Sequence, residues 1–119
     1  MEHDQRAWLQ DITSACADIP QFTAGMSQEQ YADNPLVRAA VERKFLVIGE
    51  TIVRLRDEAP EAAGKISDMH KIIGFRNILV HGYNVVDDAT VWSAIQDNLP
   101  VLQEEVQALL RTGGHRSTG

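Results

Sequence analysis

Asn34 followed by Pro35 opens a stretch that runs to about Asp57 with Gly49 as its one internal breaker. An asparagine side chain accepts from the unpaired amides at a helix start, and proline at the first helical position gives up an N–H that has no partner there. Val37, Ala40, Val41, Phe45, Ile48, Ile52 and Leu55 then recur at helical spacing and make a broad apolar face. This is the longest helix the sequence predicts, and a face of that length must be covered by other elements. Nowhere does the chain alternate apolar and polar residues as a strand would, and it has no repeat or low-complexity tract. The expected fold is therefore all-α, an antiparallel four- to five-helix up-and-down bundle.

The covering elements can be picked out in order. Asp4 to Phe22 carries Trp8, Leu9, Ile12, Ala15, Cys16, Ile19 and Phe22 at amphipathic spacing, and Pro20 should disturb or end that helix near Cys16 to Ile19. Ser27 and Gln30 form a capping box for a brief turn in which Tyr31 packs. Within the long helix, Arg38 with Glu42 and Glu50 with Arg54 are i,i+4 pairs of opposite charge, read as surface support. Glu58 to Lys65, with Pro60 and Gly64, reads as a loop, after which Asp68 caps the next helix. Gly82, Asn84 and Asp87 mark a turn. Asp87 or Asp88 then starts a last helix in which Val91, Trp92, Ile95, Leu99, Leu102, Val106, Leu109 and Leu110 keep phase, with Pro100 as a kink site. Residues 1–112 form a single expected domain, and 113–119 a flexible C-terminal tail.

A chain of 119 residues supports one domain with a modest core. Its 44% hydrophobic and 24% charged residues match a globular protein rather than a disordered one. No apolar run has the length of a membrane span and the N-terminus lacks a signal-peptide core, so a cytoplasmic protein without membrane contact is expected. Cys16 is the single cysteine, which excludes an intrachain disulfide and suits a buried filler. The net charge of -6 opposes broad binding to nucleic acid, so contact with a polyanion requires a local patch.

Residues 72–83 read IIGFRNILVHGY. At about 100° per residue, Arg76 falls inside the apolar stripe formed by Met69, Ile72, Ile73, Leu79 and Val80. A guanidinium on that face must find an anion or reach water along its stem, and an internal salt bridge satisfies the spacing as well as a bound ligand does. Phe75 and Ile78 make the helix apolar on other sides too, so it is expected centrally in the bundle or at a subunit interface. Taken singly, His81 suits a surface or capping role and Tyr83 a packing role. The informative feature is the ordered set of Arg76, Asn77, His81 and Tyr83.

No Cys/His cluster, HExxH, calcium loop or glycine-rich phosphate loop is present, so neither a metal nor a cofactor is expected. An imidazole exchanges protons near neutral pH and a guanidinium pairs with phosphate oxygens. Together they suit cleavage of an RNA phosphodiester by its own 2′-hydroxyl. Asn77 would orient the histidine or hold a phosphate, and Tyr83 would stack on or hydrogen-bond a nucleotide. Glu50 is a candidate supporting carboxylate, with its pairing to Arg54 the favoured reading. Five helical residues place Arg76 and His81 about 140° apart. Either the helix ends before His81, helped by Gly82, or a second subunit completes the site; a twofold dimer would bring two such sets into one cleft.

The stretch resembles the HEPN superfamily of small helical ribonucleases and its HepT-like toxin branch, whose motif is arginine, a polar residue, three more residues, histidine, one residue and tyrosine. Arg76, Asn77, His81 and Tyr83 occupy those positions. The likeness extends to Phe45 to Glu50, Gly25 to Ser27, Val91 with Trp92, and Asn98 to Pro100; Pro20 and the acidic charge depart from it. It implies an HEPN-like bundle that forms a twofold homodimer and cuts RNA without metal through Arg76 and His81, supported by Asn77. It also implies the toxin role of a type VII toxin–antitoxin pair. The partner would be a cognate minimal nucleotidyltransferase antitoxin that transfers AMP to Tyr83. The alternative is a non-catalytic HEPN subunit that binds such a nucleotidyltransferase.

Overall fold

In the computed structural model the backbone is described over residues 2–82 and 86–118, and side chains over 5–82 and 86–112. The helices are α1 (Glu2–Phe22), α2 (Gln28–Ala32), α3 (Pro35–Glu58), α4 (Pro60–Ala63), α5 (Met69–His81), α6 (Asp88–Ser93) and α7 (Leu99–Thr118), with a π-helical turn at Ala94–Asn98 joining the last two. An all-α bundle results. The long helix α3 packs against α1 on one side and α5 on the other, and α7 covers α1. Arg6 donates to the Leu110 carbonyl at 3.1 Å, which ties the start of α1 to the later part of α7.

The core draws on the predicted faces, although Phe22, expected on the apolar face of α1, is 37% exposed and Trp8, Val37, Leu109 and Leu110 are only partly buried. Leu9, Ile12, Ala15, Cys16 and Ile19 of α1 meet Val41, Phe45, Ile48, Ile52 and Leu55 of α3, and Leu99, Leu102 and Val106 of α7. Both predicted caps at the start of α2 and α3 form. Ser27 accepts from the Gln30 amide at 3.1 Å while Gln30 accepts from the Ser27 amide at 2.9 Å. Asn34 Oδ1 accepts from the Val37 amide at 3.1 Å. Tyr31 is fully buried, with its ring centroid 5.7 Å from that of Trp92.

Several local expectations are corrected. α1 continues through Pro20 to Phe22. A proline so near the end of a helix forfeits one amide bond, and burial of Cys16 and Ile19 outweighs it. Beyond it Thr23 closes the helix, its amide and its hydroxyl each 3.2 Å from the Ile19 carbonyl. The segment read as a loop holds α4, which starts on Pro60 and buries Ala62 and Ala63. Asp68 stands at the start of α5 without capping it; Oδ2 instead accepts from Asn98 Nδ2 at 2.9 Å, a tertiary partner displacing a local one. Arg38 forms its ion pair with Asp88, at 3.5 Å, where Glu42 was expected.

Asp87 stands at the N-cap of α6 with its carboxylate accepting from the Thr90 hydroxyl at 2.7 Å. The Leu99 amide reaches back five residues to the Ala94 carbonyl, so the π turn lies immediately before Pro100. Val91, Ile95 and Leu99 stay buried across this wide turn, which is how the apolar phase survives the proline.

Candidate active site

α5 is the least buried of the principal helices. It has no fully buried residue, and Ile78 and Val80 are 50% and 46% exposed. Within one protomer it is peripheral, not central, which corrects the first of the two placements expected for it. Two contacts fix it to α3. Phe45 and Phe75 meet edge-on, with centroids 5.3 Å apart. The other contact is between Gly49 and Arg76: a Cβ built on Gly49 would collide with Cβ and Cγ of Arg76. The two helices can approach here because position 49 has no side chain.

That approach explains how an arginine fits the inner stripe of α5. Its stem lies against bare α3 backbone, and its head extends to the edge of the contact. There Nη1 donates to Asn77 Oδ1 at 2.9 Å and Nη2 lies 3.8 Å from Glu50 Oε2. Nε is buried and makes no hydrogen bond among the described residues. Glu50 therefore pairs with Arg76, correcting the favoured Arg54 pairing. The loose geometry and a Glu50 side chain 49% exposed make this a weak clasp, worth about 0–1 kcal/mol. One edge of the guanidinium is buried and the other meets a loose carboxylate, which leaves it able to pair with an anion.

His81 is the last residue of α5 and is exposed. The helix does not end before it; Gly82, at φ 62°, closes the helix after it, its amide donating to the Ile78 carbonyl at 3.0 Å. Arg76 and His81 thus belong to one continuous helix and project about 140° apart. Arg76, Asn77 and Glu50 come together, while His81 projects from another part of the helix surface. Tyr83 lies outside the described residues. Among the described residues no three histidine, cysteine or acidic side chains gather as a metal site, and no helix is long and apolar enough to cross a membrane.

A groove of about 650 Å³, lined by residues including Phe45, Ile48, Ile72, Phe75 and Ile78, runs beside α5 without including Arg76 or His81. The residue sequence reasoning passed over is Gly49. Its signal was energetic, since a glycine inside a long helix costs about 1 kcal/mol relative to alanine and calls for a packing reason.

The model of a family described as ribonuclease HepT-like matches residues 12–109, a span that holds every residue of this site. The chain belongs to the HepT-like ribonuclease family. Curated relatives run nearly end to end with it. A candidate RNase of Methanocaldococcus jannaschii is 31% identical over 92% of this chain and 94% of its own. Another from that organism is 27% identical over 89% and 96%. A probable ribonuclease HepT of Thermococcus cleftensis is 24% identical over 92% and 98%. No solved structure matches the chain.

Proposed function

We propose that this chain is a metal-independent endoribonuclease and the toxin of a toxin–antitoxin pair. The observation that carries the reading is the Arg76 guanidinium, half-buried with an Nε that makes no hydrogen bond among the described residues and with a loose carboxylate, inside the span that the ribonuclease HepT-like model matches. In the reaction, the RNA 2′-oxygen loses its proton to a base and bonds to the adjacent phosphorus. The bond from phosphorus to the 5′-oxygen breaks, and that oxygen receives a proton. His81 moves these protons, Arg76 stabilises the charge building on the phosphoryl oxygens, Asn77 steadies the guanidinium, and Glu50 supports it from α3.

Because α5 directs Arg76 and His81 apart, the reading calls for two copies packed through α5 with their sets in one cleft. The exposed Ile78 and Val80 and the apolar groove support that packing. Regulation follows at Tyr83. A nucleotidyltransferase antitoxin joins the phenolic oxygen to the α-phosphorus of ATP, pyrophosphate leaves and the phenol proton is released. The AMP brings bulk and negative charge that exclude RNA. The acidic net charge favours a second reading, a non-catalytic subunit that only docks the transferase. Purified protein should cleave RNA in chelator while His81→Ala does not; equal cleavage by both overturns the first reading, and a stable transferase complex without cleavage supports the second.

A further inference from the structure

An acidic protein that handles RNA needs a local source of attraction, and α3 carries one. The helix has five basic residues. Arg38, Lys44 and Arg56 are each engaged in an ion pair. Arg43 and Arg54 are exposed and have no ion pair among the described residues. Counting about 100° per residue from Arg43, Glu50 falls at about -20° and Arg54 at about 20°, whereas Gly49 falls at about -120°. Arg76 crosses α3 at Gly49 and reaches around the helix to Glu50. Its guanidinium is thus directed at the stripe from which the two unpaired arginines project. They stand about 10 Å before and about 6 Å after Glu50 along the axis. Three carboxylates share this side of α3: Glu50 lies 3.8 Å from Arg76, Asp57 pairs with Arg56 at 3.2 Å, and Glu58 stands at the end of the helix.

We propose that Arg43 and Arg54 form a phosphate-binding track that carries single-stranded RNA across Arg76, one arginine holding the backbone on each side of the cleaved bond. The track rests on the ribonuclease reading for its purpose, but binding tests it separately. A span of about 16 Å between the two α-carbons covers several nucleotides of a strand, and bidentate guanidinium contacts grip backbone without reading bases. The track therefore predicts binding of single strands with weak sequence preference.

The test is fluorescence anisotropy with a labelled, unstructured 12-nucleotide RNA, using His81→Ala protein to prevent cleavage and the same protein carrying Arg43→Ala and Arg54→Ala. Two lost phosphate contacts should lower the slope of log K against log salt by about 1.4 and weaken binding at low salt by about tenfold or more. Arg43→Lys with Arg54→Lys should restore most of the slope. An unchanged slope overturns the track. So does a loss of binding that sedimentation traces to loss of a dimer, because the arginines would then serve a subunit contact. Arginine-dependent binding by a wild-type protein that cleaves nothing would uphold the track and reject the nuclease. Absence of both binding and cleavage rejects both.

Discussion

Gly49 and Arg76 touch across the α3–α5 crossing so closely that the glycine has no room for a methyl group. Gly49→Ala should therefore push the helices apart and displace the guanidinium. Overpacking of about 1–3 kcal/mol outweighs the gain of about 1 kcal/mol in helix propensity. A lower urea midpoint and loss of RNA cleavage are expected. Gly74→Ala is the matched control: beyond its chain neighbours and the backbone of its own helix, no heavy atom lies within 4 Å of its added Cβ, so the midpoint should rise.

Cys16 is sealed in the core, and burial pushes its thiol up to about 12. Native protein at pH 8 should resist thiol-disulfide reagents, because the thiolate is scarce and the reagent has no access. Labelling should proceed only in denaturant or at the rate of unfolding. Rapid labelling of folded protein would contradict the packing of α1.

Burial raises the pKa of Glu42 above its ordinary value, Arg38 opposes the rise, and Asp88 adds to it. Protonated Glu42 thus fits the folded state better than ionised Glu42. Its favourable contribution is complete in acid, below the unfolded pKa, and is lost as pH rises through the folded one. Glu42→Gln should raise the thermal midpoint at pH 7 more than at pH 4, as calorimetry at the two values would show.

Tyr31 is fully buried, yet its hydroxyl has no hydrogen-bond partner among the described residues. Tyr31→Phe removes an unsatisfied group and keeps the ring against Trp92. It should leave stability unchanged or raise it by up to about 1 kcal/mol. A loss of more than 1 kcal/mol in urea unfolding would show that the hydroxyl is satisfied by ordered water.

The helical periodicities were legible because each buried face draws on one local run of sequence; the core residues of α1, α3 and α7 are those the spacing picks out. Asn34 and Ser27 were legible for the same reason, since their capping partners lie three residues away. What failed was the choice among partners. Glu50 has Arg54 one turn on, Asp68 has its own helix start, and Arg38 has Glu42, yet each finds its contact on another helix. Gly49 was hidden in a different way: sequence shows that a side chain is missing, but only the crossing shows what fills the space. In the candidate site, the ordered motif was readable and the continuation of α5 through His81 was not, because Gly82 ends a helix only after the residue that precedes it.

The hydrogen bond between Asp68 and Asn98 has a mechanical consequence. It fastens the base of α5 to the π turn, while the Ser67 amide, just before it, is held by Glu105 at 3.1 Å. Gly49 and Arg76 form a second support partway along. α5 is thus a beam about 20 Å long that is pinned at its root and at its middle, the second support falling on the residue that carries the guanidinium. With the root clamped by Asp68 and Ser67 and the crossing clamped by Gly49, a change at either support shifts the line of the helix, and with it the place at which Arg76 meets α3.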